Sequence, residues 1–195
     1  MRVLIACEFS GVVRDALIAR GHEAVSCDLL PTEVVGPHYQ GDVFDIIDYP
    51  WDLGIFHFPC THTAVSGAKH FAAKRMDGRH YQGVALFMRG WKRAMHIPRV
   101  AFEHPVSVIS TLFREPDQIV QPHDFGHGEV KATCLWLRGL PRLVPTQPVE
   151  GRTARVHREP PSQERWKNRS RTLPGLAAAI AAQWGDIGKN LEIAA

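Results

Sequence analysis

Arg2-Val3-Leu4-Ile5-Ala6-Cys7 leads into Glu8-Phe9-Ser10-Gly11, and a stretch from Gly11 to Arg20 then connects to Ala24-Val25-Ser26-Cys27-Asp28. The first run is apolar nearly throughout, as expected of a strand covered on both faces. Glu8 to Gly11 reads as a turn, with Ser10 placed to cap a helix over residues 11–20. Val12, Val13, Ala16, Leu17 and Ile18 give that helix an apolar face, and Gly21 closes it where a left-handed residue is wanted. Strand, turn, helix, strand and acid, within roughly thirty residues, form the unit that holds a nucleotide-like ligand in doubly wound sheets. The helix N-terminus offers N–H groups to an anion. Asp28 can accept from ribose hydroxyls, or serve as a turn residue before Pro31. The turn has one glycine where such loops usually have two or three.

A second stretch delivers chemistry to the same end of the sheet. Leu53-Gly54-Ile55-Phe56-His57-Phe58 ends abruptly in Pro59-Cys60, followed by small and polar residues and then Ser66-Gly67. This predicts a buried strand with a cysteine in the loop at its carboxyl end, where open α/β sheets bind ligands. A buried small hydrophobe is the alternative reading of such a cysteine. Arg99-Val100-Ala101-Phe102 is a further strand, ending in Glu103-His104-Pro105. Between them, residues 68–82 are polar and irregular and suit a mobile loop or short helix. Residues 83–95 carry Val84, Phe87, Met88, Trp91 and Met95 at helical spacing, a stripe expected to pack in the core. Val106 to Phe113 suits a short helix. Gln118 to Val120 and Thr133 to Leu137 read as strands around the turn at Phe125 to Glu129. Residues 138–150 read as a Pro-rich surface connection, and Leu176 to Trp184 as an Ala-rich helix.

Bulk properties bound the rest. With 195 residues, 45% hydrophobic and 22% charged, the chain has the size and composition of one globular domain. No apolar run is long enough for a membrane span, and the N-terminus lacks a signal-peptide pattern. Four scattered cysteines argue for reduced thiols in a cytoplasm. The net charge of +3 is mild, but residues 151–171 are locally basic. Arg152, Arg155, Arg158, Arg165, Lys167, Arg169 and Arg171 surround Trp166 there, a pattern suited to a phosphate-bearing or base-stacking partner.

The order of these motifs resembles the catalytic domain of cytosine-C5 DNA methyltransferases. Phe9-Ser10-Gly11 is similar to the family's cofactor turn and Phe58-Pro59-Cys60 to its nucleophile loop. Glu103-His104-Pro105 is similar to the Glu-Asn-Val acid motif, and Phe125 to Lys131 to the later Gln-x-Arg-x-Arg segment. Gly175-Leu176-Ala177 resembles the C-terminal segment beside the cofactor. The likeness covers most of the chain, which also resembles small methyltransferase-like proteins of phages and prophages. It implies an α/β fold: a single Rossmann-like, class I methyltransferase domain over residues 1–195, mostly parallel, with helices on both faces. It also implies S-adenosylmethionine as cofactor, with Phe9, Ser10, Gly11, Asp28, Asp42 and Pro59 around it. Methyl transfer would go to C5 of cytosine in DNA or in a cytosine nucleotide, in the cytoplasm (that of the host if phage-encoded).

The implied chemistry is coherent. A thiolate adding at C6 makes C5 nucleophilic, so Cys60 is the expected nucleophile and needs a lowered pKa or a positive field. His57, His62 or Lys69 could supply one. Glu103 is the expected acid at ring N3, held protonated or sharing a proton. Lys131 stands where the family has an arginine on the cytosine carbonyl, and His104, Arg155 and Arg158 are expected substrate contacts. The sequence departs from the family at Val12-Val13, Thr61, His104-Pro105, Glu129 and Lys131. Its length leaves no space for a large target-recognition region, and a chain this small could dimerise to complete a groove. Two other classes compete: a metal site drawn from His57, Cys60, His62, His104, His127 and Cys134, and a methyltransferase-fold binder without turnover.

Overall fold

In the computed structural model, which describes residues 1–187, the chain forms β1 (Arg2–Ala6), α1 (Val12–Ile18), β2 (Glu23–Asp28), β3 (His38–Gln40) and β4 (Leu53–Phe56). It continues through α2 (Phe71–Met76), α3 (Arg79–Arg93), β5 (Arg99–Pro105), α4 (Ile109–Leu112), β6 (Gln118–Val120) and β7 (Thr133–Arg138). Helices α5 (Arg155–Arg158), α6 (Arg165–Ser170) and α7 (Pro174–Gly185) follow.

The strands form one seven-stranded sheet in the order β3-β2-β1-β4-β5-β7-β6. Neighbours from β3 to β5 run parallel, and β7 runs antiparallel to both β5 and β6. The expected α/β architecture with a mostly parallel sheet is what the structure has. The chain goes outward from β1 to β2 and β3, then returns past β1 to β4 and β5. The crevice between β1 and β4 is therefore where the strand order reverses, and ligands bind at the carboxyl ends beside such a point.

Alternation along the strands divides the core in two. Val3, Ile5, Leu53, Ile55 and Leu135 pack on one face with Val13 and Leu17 of α1 and with Leu176, Ile180 and Trp184 of α7. Leu4, Ala6, Phe56, Phe102 and Trp136 pack on the other with Val84 and Phe87 of α3. Among the described residues, no helix is long and apolar enough to cross a membrane.

Most expected elements are present, with shifted ends. The first strand stops at Ala6, because Cys7 adopts a left-handed φ of 58° that turns the chain. Strand β4 stops at Phe56, four residues before Cys60. The short edge strand β3 was not expected. Residues 68–82 are a 3-10 turn plus α2 and the start of α3, and Lys74 is buried there rather than solvated. Met95 leaves the α3 stripe, lying half exposed in the turn after the helix. Phe125 to Lys131 is irregular chain held by single bridges from Phe125 to Gln147 and from Glu129 to Thr153.

One glycine fixes how α3 meets the cysteine loop. A Cβ at Gly90 would lie 2.1 Å from the Phe58 ring, and Phe58 stacks at 6.0 Å on Phe56. Gly90→Ala is therefore expected to destabilise the fold by about 1–3 kcal/mol, despite the helix preference for alanine. Urea unfolding checks this, since an unchanged midpoint would mean that Phe58 moves freely.

Candidate active site

The site begins with register. Phe56 of β4 is paired with Phe102 of β5, and their rings stack at 4.5 Å on one face. The next residues, His57 and Glu103, therefore point together to the opposite face. His57 Nδ1 lies 2.7 Å from Glu103 Oε2. Burial opposes charge on both groups, but each is the other's counter-charge. Burial works to raise Glu103, yet the hydrogen bond and charge of His57, aided by Lys131 and His104, hold it at about 2. Burial works to lower His57, yet Glu103 and then Glu8 raise it, against Lys131. Both directions favour an imidazolium beside a carboxylate. Of the two expectations for Glu103, held protonated or sharing a proton, the low value runs against the first, and the contact with His57 is where a proton could be shared.

Cys60 follows three residues after His57 and is half-buried. Its loop is tied down from several sides. Thr63 and Ala64 donate backbone N–H bonds to Cys60 O at 3.0 and 2.9 Å. Lys74 Nζ donates to Thr61 O at 2.6 Å, and His80 Nδ1 lies 3.1 Å from His62 O. Val108 N–H donates to Thr63 O at 3.1 Å, joining the loop to the segment after β5. The Cys60 thiol is not lowered as expected. Burial pushes it up first and the Glu103 charge second, while Lys131 and Arg169 pull it down. The cations that act on Cys60 are thus Lys131 and Arg169, rather than His57, His62 or Lys69.

Lys131 links the parts. It lines an enclosed cavity of about 20 Å³ with His57, Glu103, Thr133, Thr172 and Leu173. It also lines a half-open cleft of about 320 Å³ with Val12, Arg155, Asn168, Arg171 and Pro174. Thr172 and Leu173 border both spaces, so the cleft leads toward Glu103 past the start of α7. Lys131 Nζ donates to Arg171 O at 3.1 Å. Arg155 is at the cleft and ion-paired with Glu129 at 2.8 Å. Arg158 is exposed and borders neither space, and Cys60 lies outside both.

His104 is a correction. It is 1% exposed and packs against Phe87 on the face opposite Glu103. Its Nε2 is 2.8 Å from Thr63 Oγ1, and burial lowers it to about 4. It braces the cysteine loop from inside the core, so it is not a substrate contact.

The first turn also differs from expectation. Ser10 does not cap α1. The buried Glu8 carboxylate does, accepting from Val13 N at 2.7 Å and Arg14 N at 3.3 Å, so these N–H groups are not free for an external anion. Ser10 is buried and donates to Glu8 Oε1 at 3.4 Å. Gly11 has a left-handed φ of 73°, and a Cβ there would lie 2.5 Å from Arg14 Nη2. Arg14 is fully buried. Its guanidinium donates to Asp15, Ser26, Thr32 and the Val34 carbonyl, pinning the β2–β3 connection over the turn. Phe9 is buried beneath Trp166, 5.9 Å away, with the Arg171 guanidinium 5.8 Å from its ring. Arg171 also pairs with Glu33 at 2.6 Å. Asp28 accepts from Leu30 N at 2.9 Å and Asp42 from Phe44 N at 3.0 Å, so each shapes a local turn. Pro59 is exposed beside Cys60.

Among the described residues, no three His, Cys, Asp or Glu side chains converge as a metal site. The residues missed in the sequence are His57 as partner of Glu103, Arg169 as a cation whose charge reaches Cys60, and Glu8 and Arg14 inside the first turn. The position of His57 one residue past a strand paired with β5 was the available signal. No family model matches the chain, and no curated protein matches it in sequence.

Proposed function

We propose that this chain is an S-adenosylmethionine-dependent methyltransferase acting on C5 of cytosine, in DNA or in a cytosine nucleotide. The observation that carries the reading is the placement of Cys60, in the loop after β4, and Glu103, near the carboxyl end of β5, on two paired parallel strands. Each acts electrostatically on its surroundings together with Lys131. A thiol and a hydrogen-bonded acid beside the point of strand reversal suit addition to a pyrimidine ring. The strand order through β5 supports it further, being that of doubly wound nucleotide-binding sheets.

The donor set suits the nucleoside half of the cofactor. Asp28 and Asp42 would hold ribose and adenine, while the Phe9 face is taken by Trp166 and Arg171. Glu8 and Arg14 fill the space next to Gly11, which leaves the cleft beside Val12 and Pro174 for the amino-acid end. When bound, the cofactor supplies an electrophilic methyl group on sulfur. The protein's own work is to raise a thiolate at Cys60, to orient the pyrimidine, and to deliver a proton through Glu103 to ring N3. Arg155, Arg171 and Trp166 at and around the cleft suit a phosphate-bearing substrate.

The test is methyl transfer from labelled S-adenosylmethionine to duplex DNA, single-stranded DNA and free cytosine nucleotides, compared side by side. Label in one substrate that Cys60→Ala abolishes supports the reading. The Arg14-filled turn favours a second reading, a nucleotide or nucleic-acid binder without turnover. Substrate binding without cofactor binding or label would establish that one instead.

A further inference from the structure

We infer that His57 is the proton carrier of the Glu103 site, supplying through Glu103 the proton that the pyrimidine takes up as Cys60 adds. The inference rests on the function proposed above. Three features of the geometry lead to it. His57 Nδ1 and Glu103 Oε2 are 2.7 Å apart, with side chains only 11% and 20% exposed. His57 Nε2 is buried without a hydrogen-bond partner in the protein, so the ring has one fixed contact, and that contact is the acid. The ring also lines the enclosed cavity of about 20 Å³ with Glu103 and Lys131, a volume that can hold about one water molecule.

A carboxylate held as low as Glu103 has no proton of its own to give near neutral pH. The groups facing the pair are Glu8 from the first turn, Lys131 from the segment before β7, and His104 behind β5. The carboxylates Glu8 and Glu103 both favour the imidazolium, while Lys131 and burial oppose it, and the balance raises His57 above its ordinary value.

With the Cys60 thiol proton released to water beforehand, the step balances. The Cys60 thiolate forms a bond to C6, the C5=C6 pair moves to C4=C5, and the C4=N3 pair moves to N3. N3 takes the proton from Glu103, which takes the Nδ1 proton of His57. The imidazolium becomes neutral imidazole, and Glu103 ends as the carboxylate it began as. When the thiol leaves, the same proton returns by the same route.

The test needs no cofactor, because the enamine formed by addition exchanges its C5 hydrogen with water. Loss of deuterium from C5-deuterated cytosine, in an oligodeoxynucleotide and in deoxycytidine monophosphate, is followed against pH for the full chain and for His57→Gln. Glutamine can still donate to Glu103 but cannot carry a proton. Because addition also needs the Cys60 thiolate, which burial disfavours, the wild-type rate is expected to rise with pH and level off at the elevated His57 value, where each gain in thiolate is offset by loss of the carrier proton. In His57→Gln the rate near neutral pH is expected to drop roughly 10²-fold. The point at which its rate levels off should move to lower pH, because Glu103, without the imidazolium, must bind the proton itself. An unchanged rate and pH profile in His57→Gln would overturn the carrier role and leave the proposed function standing. Absence of both exchange and methyl transfer in the wild type would overturn the function and the inference together. Should His57→Gln fail to fold, imidazole ¹⁵N spectra of the wild type decide: a doubly protonated His57 at pH 6.5 supports the role, and a neutral one overturns it.

Discussion

Glu103→Gln is expected to lower both methyl transfer and cofactor-free exchange at C5 by roughly 10²- to 10⁴-fold, while making Cys60 more reactive toward iodoacetamide. The two effects run in opposite directions because Glu103 has two roles. In the proposed reaction it would pass a proton to the substrate, and its negative charge raises the Cys60 thiol. Removing the charge leaves burial as the main force against the thiolate, with Lys131 and Arg169 favouring it. Alkylation rate against pH, read beside turnover, separates the roles. If both fall together, Glu103 orders the cysteine loop instead of acting on it through space. The variant should also change acid stability. Glu103 is held at about 2 against an ordinary 4.5, so its contribution to folding is fully present above about pH 4.5. That contribution is lost as pH falls toward 2, and Glu103→Gln should flatten this part of the stability curve.

Arg14→Ala is expected to cost about 3–5 kcal/mol of folding stability, the range seen when a buried charge network loses one member. Arg14 is fully buried and donates to four partners, on α1, on β2 and on the β2–β3 connection. Its loss leaves Ser26, Thr32 and the Val34 carbonyl without that donor and opens space beside Gly11 and Gly36, against both of which its guanidinium packs. The β2–β3 connection should loosen more than the sheet centre. Hydrogen exchange by mass spectrometry checks this: protection should fall over residues 29–37 before it falls over β1 and β4. Uniform loss would mean that Arg14 supports the whole fold and not this connection.

The backbone plan was legible because it is written in local patterns. Apolar runs ending in Cys7, Asp28, Pro59-Cys60 and Glu103 mark parallel strands and the end at which chemistry gathers. Short strands resist such reading, and β3 has three residues with little apolar signature. At the candidate site, Cys60, Glu103 and Lys131 were recognisable as residue types after familiar-looking runs. The state of each was not, because it depends on contacts far apart in sequence. Glu103 is ionised by a histidine 46 residues earlier. His104 looked like a substrate contact because it adjoins Glu103, but alternation along β5 sends it into the opposite core. Arg14 carried no signal in the sequence, because its partners lie up to 20 residues away on a connection with no regular pattern.

Helix α7 has a consequence for the order in which the molecule can mature. It packs on α1, formed from residues synthesised more than 150 positions earlier, and places Trp184 against the centre of the sheet. Thr172 and Leu173, at its start, wall both the cavity and the cleft. During synthesis, β1 to β5 can assemble while α7 is still in the ribosome, leaving one face of the sheet open and greasy. The cysteine loop is then already built, but the chamber beside Glu103 is not. A nascent chain would thus carry its thiol before it has a site, and activity would arrive last and all at once, when the closing helix docks.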